Sequence, residues 1–247
     1  MHRIAKLTTL DLSKNKLKSL PPNLSNLKIL KSLNVDGNKL MPGTLAVVAK
    51  LPKLKSLSLN NNQLGKIIPP QTSPNAPKTK PVAPVDALPP SLPKGLKTIL
   101  LSNNTLPVIP KSILEGTTPL KMLEKLDLSS NLLTSLPETI GSLVKLNDLN
   151  LDDNALTKVP ASMGKLTQLK VLSLRRNKIA LTDPQPLPEE LWKNTPLIDL
   201  NLHGNPMTTT QLNTMDGYDA FLVRRREVKN KDILGGAMTD LEGCGLE

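Results

Sequence analysis

Apolar residues recur along this chain in a compound spacing. Leu7, Leu10 and Leu12 are followed by Asn15, which reads L-x-x-L-x-L-x-x-N. The same spacing returns at Leu30, Leu33, Val35 and Asn38; at Leu54, Leu57, Leu59 and Asn62; and at Leu96, Ile99, Leu101 and Asn104. It continues at Leu123, Leu126, Leu128 and Asn131; at Leu146, Leu149, Leu151 and Asn154; at Leu169, Leu172, Leu174 and Asn177; and at Leu197, Leu200, Leu202 and Asn205. The inner L-x-L alternates with period two, which is strand chemistry with one face buried. Each Asn falls where the chain leaves the strand. A buried amide side chain there can bond backbone groups that the turn leaves unpaired, and a stack of such turns makes a ladder. One unit cannot bury its own apolar face, so the period predicts stacked units with a continuous core.

After several Asn positions the chain reads L/V-P-x-x-[L/I/M]-x-x-L, as in Leu20-Pro21 with Leu24 and Leu27, and Leu136-Pro137 with Ile140 and Leu143. That step predicts one or two helical turns packed on the strand. The Asn residues are 23 or 24 positions apart in the regular repeats, 27 between Asn104 and Asn131, and 28 between Asn177 and Asn205. Between Asn62 and Asn104 the step is 42, which places an insertion near residues 70–87. The insertion is rich in Pro and poor in apolar residues, favouring extended polyproline conformation. It reads either as a solvated loop or as a docking peptide, since Lys78-x-x-Pro81-x-x-Pro84 resembles a basic SH3 ligand and Pro74-x-x-Pro77 is a second P-x-x-P.

On these residues, from Leu7 to Asn205, the chain resembles the leucine-rich repeat family. The resemblance implies an α/β fold: a curved solenoid of eight repeats with parallel strands on its concave face. The expected organisation is a solenoid over 1–207, a C-terminal helical cap with a basic arm over 208–231, and a tail over 232–247. Thr208-Thr209-Thr210 is a helix start. Leu212, Met215, Phe221 and Leu222 offer an apolar stripe, and Gly217-Tyr218-Asp219 reads as a turn between two short helices. Trp192, Tyr218 and Phe221, all the aromatic residues of the protein, belong to this end. Gly217 to Phe221 followed by Arg224-Arg225-Arg226 is similar to the C-terminal end of small intracellular leucine-rich repeat proteins, which implies an adaptor or scaffold. Only residues 1–6 precede the first repeat, short of the cap a solenoid needs. Either a partner covers this end, or the chain is a fragment, or Met1 is not the biological start.

Charge adds a second surface to this picture. The chain carries 32 Lys plus Arg against 21 Asp plus Glu, a formal net of +11. Across the variable positions of the eight motifs, basic and acidic residues are equal in number, so the excess is expected elsewhere: on ascending loops, the convex side, the insertion and the C-terminal arm. The arm is Arg224, Arg225, Arg226 and Lys229. The concave face gathers acids at Asp127, Asp148, Asp152 and Asp153, followed by Arg175 and Arg176. With Asn150, Ser173, Asn201 and His203 these form the candidate partner-binding surface. Small side chains there leave room for a partner's helix or loop, against the plainer reading of a solvated sheet face.

Catalysis has little material. The only histidines are His2 and His203, and no metal or nucleophile motif appears. Gly164-Lys165-Leu166-Thr167 lacks the upstream glycine of a phosphate loop, since position 159 is Val159. No enzymatic activity, cofactor or metal is expected. A single cysteine, Cys244, and no Cys-rich caps point to a reducing, intracellular compartment, read as cytoplasmic with a cytoskeletal or organellar assembly also open. The expected function is a non-catalytic protein-interaction scaffold in a larger assembly. The alternatives are a structural subunit touching RNA phosphate or an acidic polymer through the basic exterior, and a regulatory subunit of a phosphatase or ligase. With three aromatics gathered in the cap, base-reading is not expected.

Overall fold

The computed structural model describes residues 6–66, 86–115, 120–182 and 185–234, with side chains as far as residue 228. Each motif supplies one short strand: β1 Thr9–Asp11, β2 Ser32–Asn34, β3 Ser56–Ser58, β4 Thr98–Leu100, β5 Lys125–Asp127, β6 Asp148–Asn150, β7 Val171–Ser173 and β8 Asp199–Asn201. They form one open parallel sheet in sequence order. Leu10, Leu33, Leu57, Ile99, Leu126, Leu149, Leu172 and Leu200 pair in one row across it. β3 pairs directly with β4, so the longest step in the sequence leaves the sheet unbroken.

The leucines of each repeat point into a single core that runs the length of the solenoid. Leu7, Leu10, Leu12 and Leu17 of the first repeat are only partly buried against it. The Asn ladder closes the turns. Asn62 donates from its amide to the carbonyls of Leu59 in its own repeat and Val35 in the preceding one, both at 3.0 Å. Its oxygen accepts the Leu40 N–H, also at 3.0 Å. The same three-way bond recurs from Asn38 to Asn205, always accepting from the residue two beyond the preceding ladder Asn. Among the described residues, Asn15 bonds only its own turn, to Leu12 and Ser13.

Repeat length selects the helical turn behind the strand. The repeats of 23 or 24 residues carry single 3-10 turns at Pro22–Asn26, Ala46–Lys50, Glu138–Ser142 and Ala161–Lys165. The two longer ones carry short α-helices instead, α1 Lys111–Leu114 and α2 Glu189–Asn194. A 3-10 turn brings back the same face every third residue, which fits Ile140-x-x-Leu143 and Met163-x-x-Leu166. Gly141 and Gly164 let neighbouring turns approach: a Cβ on Gly141 would stand 2.4 Å from the Ser162 carbonyl oxygen.

The C-terminal segment is α3 Thr209–Asn213 and α4 Tyr218–Leu234, the second far longer than a short cap helix. Thr208 and Gln211 form a capping box at the start of α3. The buried stripe differs from the expected one at two positions. Leu212, Met215 and Phe221 are buried, but Tyr218 joins them and Leu222 is exposed. Gly217 has φ 80° and α4 begins immediately after it, so Tyr218 and Phe221, three apart, share the inner face. Trp192 of α2 packs edge-on to Tyr218, ring centres 5.2 Å apart, and lies 5.9 Å from Phe221.

Ala87 and Leu88 are buried in the core, so the chain is already back in the solenoid at the end of the span expected for the insertion. The Pro-rich motifs at 74–84 and the terminal Cys244 lie outside the described residues.

Candidate docking face on the concave sheet

The residues flanking the central leucine of each strand face outward onto the concave surface. Beyond each strand the chain turns sharply, and the residue just before every ladder Asn is left-handed, with φ between 47° and 76°. Five of these are Gly, Asn or Asp, which tolerate that region. Lys14, Ser130 and Arg176 occupy it too and hide the signal in the sequence.

One backbone N–H per turn, two residues before the ladder Asn, needs a partner from the concave side chains. Where the last strand residue is Asp or Asn, that residue supplies it. Asp11 accepts from Ser13, Asn34 from Asp36, Asp127 from Ser129, Asn150 from Asp152, and Asn201 from His203. Where the strand ends in Ser58, Leu100 or Ser173, the preceding repeat supplies it instead. Asp36 accepts from Asn60, Asn60 from Ser102, and Asp152 from Arg175, at 2.7 to 2.8 Å. Every concave turn is thus capped by its own side chain or its neighbour's.

This capping changes the meaning of the candidate binding residues. Asp127, Asn150, Asp152 and Asn201 each hold a turn, and Ser173 donates its hydroxyl to Asp152 at 2.6 Å. Asp148 is paired with Lys125. Asp153 is paired with Arg176, whose guanidinium holds the Asp153 carboxyl below its ordinary value. Arg175 contributes its backbone N–H to Asp152, while its Nε is buried without a hydrogen bond. His203 is exposed. The structure therefore brings these residues together on one surface, with ion pairs across neighbouring strands at Lys125–Asp148 and Asp153–Arg176.

The basic arm is not a loose one. Arg224 donates to the carbonyls of Trp192 and Leu197, tying α4 to the last repeat, and its burial lowers its pKa. Arg225 is half-buried and Arg226 exposed. The Lys229 side chain lies outside the described residues.

The variable positions, neutral in sum, are polarised along the strand direction. The entry end of the sheet carries five basic residues (Lys31, Lys55, Lys97, Lys125 and Lys170) against three acids (Glu124, Asp148 and Asp199), and the exit end five acids (Asp11, Asp36, Asp127, Asp152 and Asp153) against three basic residues (Lys14, Arg175 and Arg176). Further lysines, Lys28 and Lys53 among them, sit exposed in the turns that lead into the strands.

Two family models described as Leucine rich repeat match the chain. One covers 94–156 and 123–179, the other 6–27 and 53–74. Together they cover just over half of it. This is a leucine-rich repeat protein.

Among curated relatives, this leucine-rich repeat chain is 32% identical over 137 residues to the protein flightless-1 homolog of Caenorhabditis elegans. The match takes in 55% of this chain and spans only 9% of that protein. Among solved structures, a Leptospira interrogans leucine-rich repeat protein is 25% identical with a TM-score of 0.62, covering 95% of this chain and 48% of that one. The plant peptide hormone receptor RGFR1, solved in complex with RGF2, is 27% identical with a TM-score of 0.57, covering 83% and 29%. Internalin C2 of Listeria monocytogenes, 19% identical with a TM-score of 0.60 over 85% and 77%, shares the fold. The leucine-rich repeat is typically a non-catalytic, protein-binding domain. Among the described residues no helix is long and apolar enough to cross a membrane.

Proposed function

We propose that this leucine-rich repeat protein is a non-catalytic scaffold that docks a protein partner on the concave face of its last four repeats, within a multi-subunit intracellular assembly. The observation carrying this reading is the fixed geometry of that face. Asp127, Asn150, Asp152 and Asn201 are held by the turns they cap, and Lys125–Asp148 and Asp153–Arg176 bridge neighbouring strands. Side chains held before binding lose little freedom on binding, which favours specific recognition. The complex of the plant receptor with RGF2 supports a binding role for a related solenoid. Support for an intracellular adaptor comes from the C-terminal segment, which is similar to that of leucine-rich repeat-containing protein fifty-seven.

The test uses residues with no turn to hold. Asp148→Lys and His203→Glu together change the face without removing a cap. Quantitative co-purification from the native source compares this variant with wild type and with a convex-side variant, Thr139→Glu. Proteins lost only with the concave variant are the expected result. An unchanged partner set rules out concave docking at these residues.

A further inference from the structure

The turns that lead into the strands form a rim of their own. In repeats two to seven each is closed by one bond from the first motif leucine, as from Leu30 to Leu27, Leu54 to Leu51 and Leu96 to Pro93 at 3.1 Å, with Leu146 to Leu143 at 2.8 Å. The two residues inside each turn project from the solenoid. In five successive repeats one of them is lysine: Lys28, Lys53, Lys94, Lys121 and Lys145, all exposed. None of the five has an ion pair among the described residues. Behind them Lys31, Lys55 and Lys97 stack in register, since Lys55 N–H donates to the Lys31 carbonyl and Lys97 N–H to that of Lys55, both at 2.8 Å. The acids at this part of the rim, Glu124 and Asp148, are taken by Lys97 and Lys125.

Apolar side chains share these turns. Ile29 is 41% exposed beside Lys28, Met122 36% beside Lys121, and Val144 42% beside Lys145. At its far end the rim opens into a depression of about 780 Å³ lined by Val144, Lys145, Gln168 and Lys125 together with the paired acids Glu124 and Asp148.

We propose that this lysine-lined rim docks an acidic, amphipathic helical segment of a protein partner. Neighbouring parallel strands are about 4.8 Å apart, so the lysines repeat along a nearly straight line of roughly 20 Å. Carboxylates at i, i+3 or i+4 on a helix recur every 5–6 Å on a straight face, within reach of flexible lysine stems. The phosphates of a duplex wind away from such a line, and they offer nothing to Ile29, Met122 and Val144. The described aromatic rings are packed against one another in the cap, leaving none to stack on bases. This site adjoins the concave face at Asp148, and its test variant alters only lysines in the turns before the strands.

The probe is a labelled helical peptide of about 20 residues, with Glu along one face and Leu beside it. Its binding to the full chain is followed by fluorescence anisotropy from about 50 mM salt upward. Comparison probes are a peptide of the same composition in permuted order and an RNA duplex of about 20 base pairs. The expected result is salt-sensitive binding of the patterned peptide, weakened about tenfold by Lys28→Glu with Lys53→Glu and Lys94→Glu. The matched reversal on the opposite rim, Lys16→Glu with Lys39→Glu and Lys178→Glu, leaves the affinity near wild type, as does His203→Glu. Thermal melts confirm that both triple variants fold. The proposal is overturned if the peptide does not bind, if the permuted peptide or the duplex binds as well or better, or if the two triple reversals weaken binding equally.

Discussion

Asp152 reaches across a repeat boundary to cap Arg175: its Oδ1 accepts the Arg175 backbone N–H at 2.7 Å and the Ser173 hydroxyl at 2.6 Å. Asn60 caps Ser102 in the same way at 2.8 Å, so the amide serves as well as the carboxylate. Asp152→Ala is expected to cost about 1–2 kcal/mol of stability by urea unfolding, because a part-buried N–H loses its acceptor. Asp152→Asn should recover most of it. If Asp152→Ala melts like wild type, the carboxylate does not hold the turn.

The ladder residues should differ according to whether a repeat precedes them. Asn131 accepts the N–H groups of Asn104 and Leu106 and donates to three carbonyls. Asn131→Ala strands all of these in the interior and is expected to cost about 2–4 kcal/mol. Asn15→Ala, on an exposed turn, should change the unfolding midpoint little. Equal effects at the two positions would contradict the ladder as described.

Close packing on the convex side makes a sharp contrast between two glycines. A Cβ at Gly141 would meet the Ser162 backbone at 2.4 Å, whereas one at Gly95 would come no nearer than 3.8 Å to the Leu54 oxygen. Gly141→Ala is therefore expected to destabilise by about 1–3 kcal/mol. Gly95→Ala should be neutral or slightly stabilising, since it restricts the unfolded chain. Differential scanning calorimetry of the two variants checks this.

The Asp153–Arg176 pair gives a pH signature. Arg176 holds the folded-state pKa of Asp153 below its ordinary value of about 3.9. Its stabilising contribution is complete above that ordinary value and fades as pH falls through the lowered one. Wild type should therefore be slightly more stable than Asp153→Asn at pH 7, with the gap closing below about pH 4. Arg176 is exposed and Asp153 partly so, so the gap is small and shrinks further in salt. A gap that widens on acidification contradicts the assignment.

Neighbouring residues in α4 should behave oppositely. Phe221 is fully buried against Trp192 and Tyr218, while Leu222 is 37% exposed. Phe221→Ala is expected to cost about 3–5 kcal/mol and to release the cap. Leu222→Ala should stay within about 0.5 kcal/mol of wild type. Near-ultraviolet circular dichroism of Trp192 reports the cap directly.

Much of the fold was legible in advance for a local reason. Which residues alternate inward and where each strand ends are recorded in spacings shorter than ten residues, and the succession of the eight repeats in the 23- to 42-residue steps between the ladder Asn residues. The Asn positions were legible too, because only a side chain with both donor and acceptor can serve a turn of that kind. The concave residues could be named from the same spacing. Their work could not: whether Asp152 faces a partner or caps Arg175 depends on Ser173, 21 positions away, being too short to cap its own turn.

The sequence by itself thus determined the strand residues, their order, the register of the ladder and the apolar side of the cap. Stacking decided the rest. It placed Tyr218 rather than Leu222 against Trp192, because the orientation of α4 is fixed by Arg224 and the ring cluster. It also set which charges of the neutral set of variable positions meet, as in Lys97–Glu124, Lys125–Asp148 and Asp153–Arg176. Periodicity records which face is buried, but the neighbours of an exposed charge come from the adjacent repeats, and only the assembled solenoid brings those together.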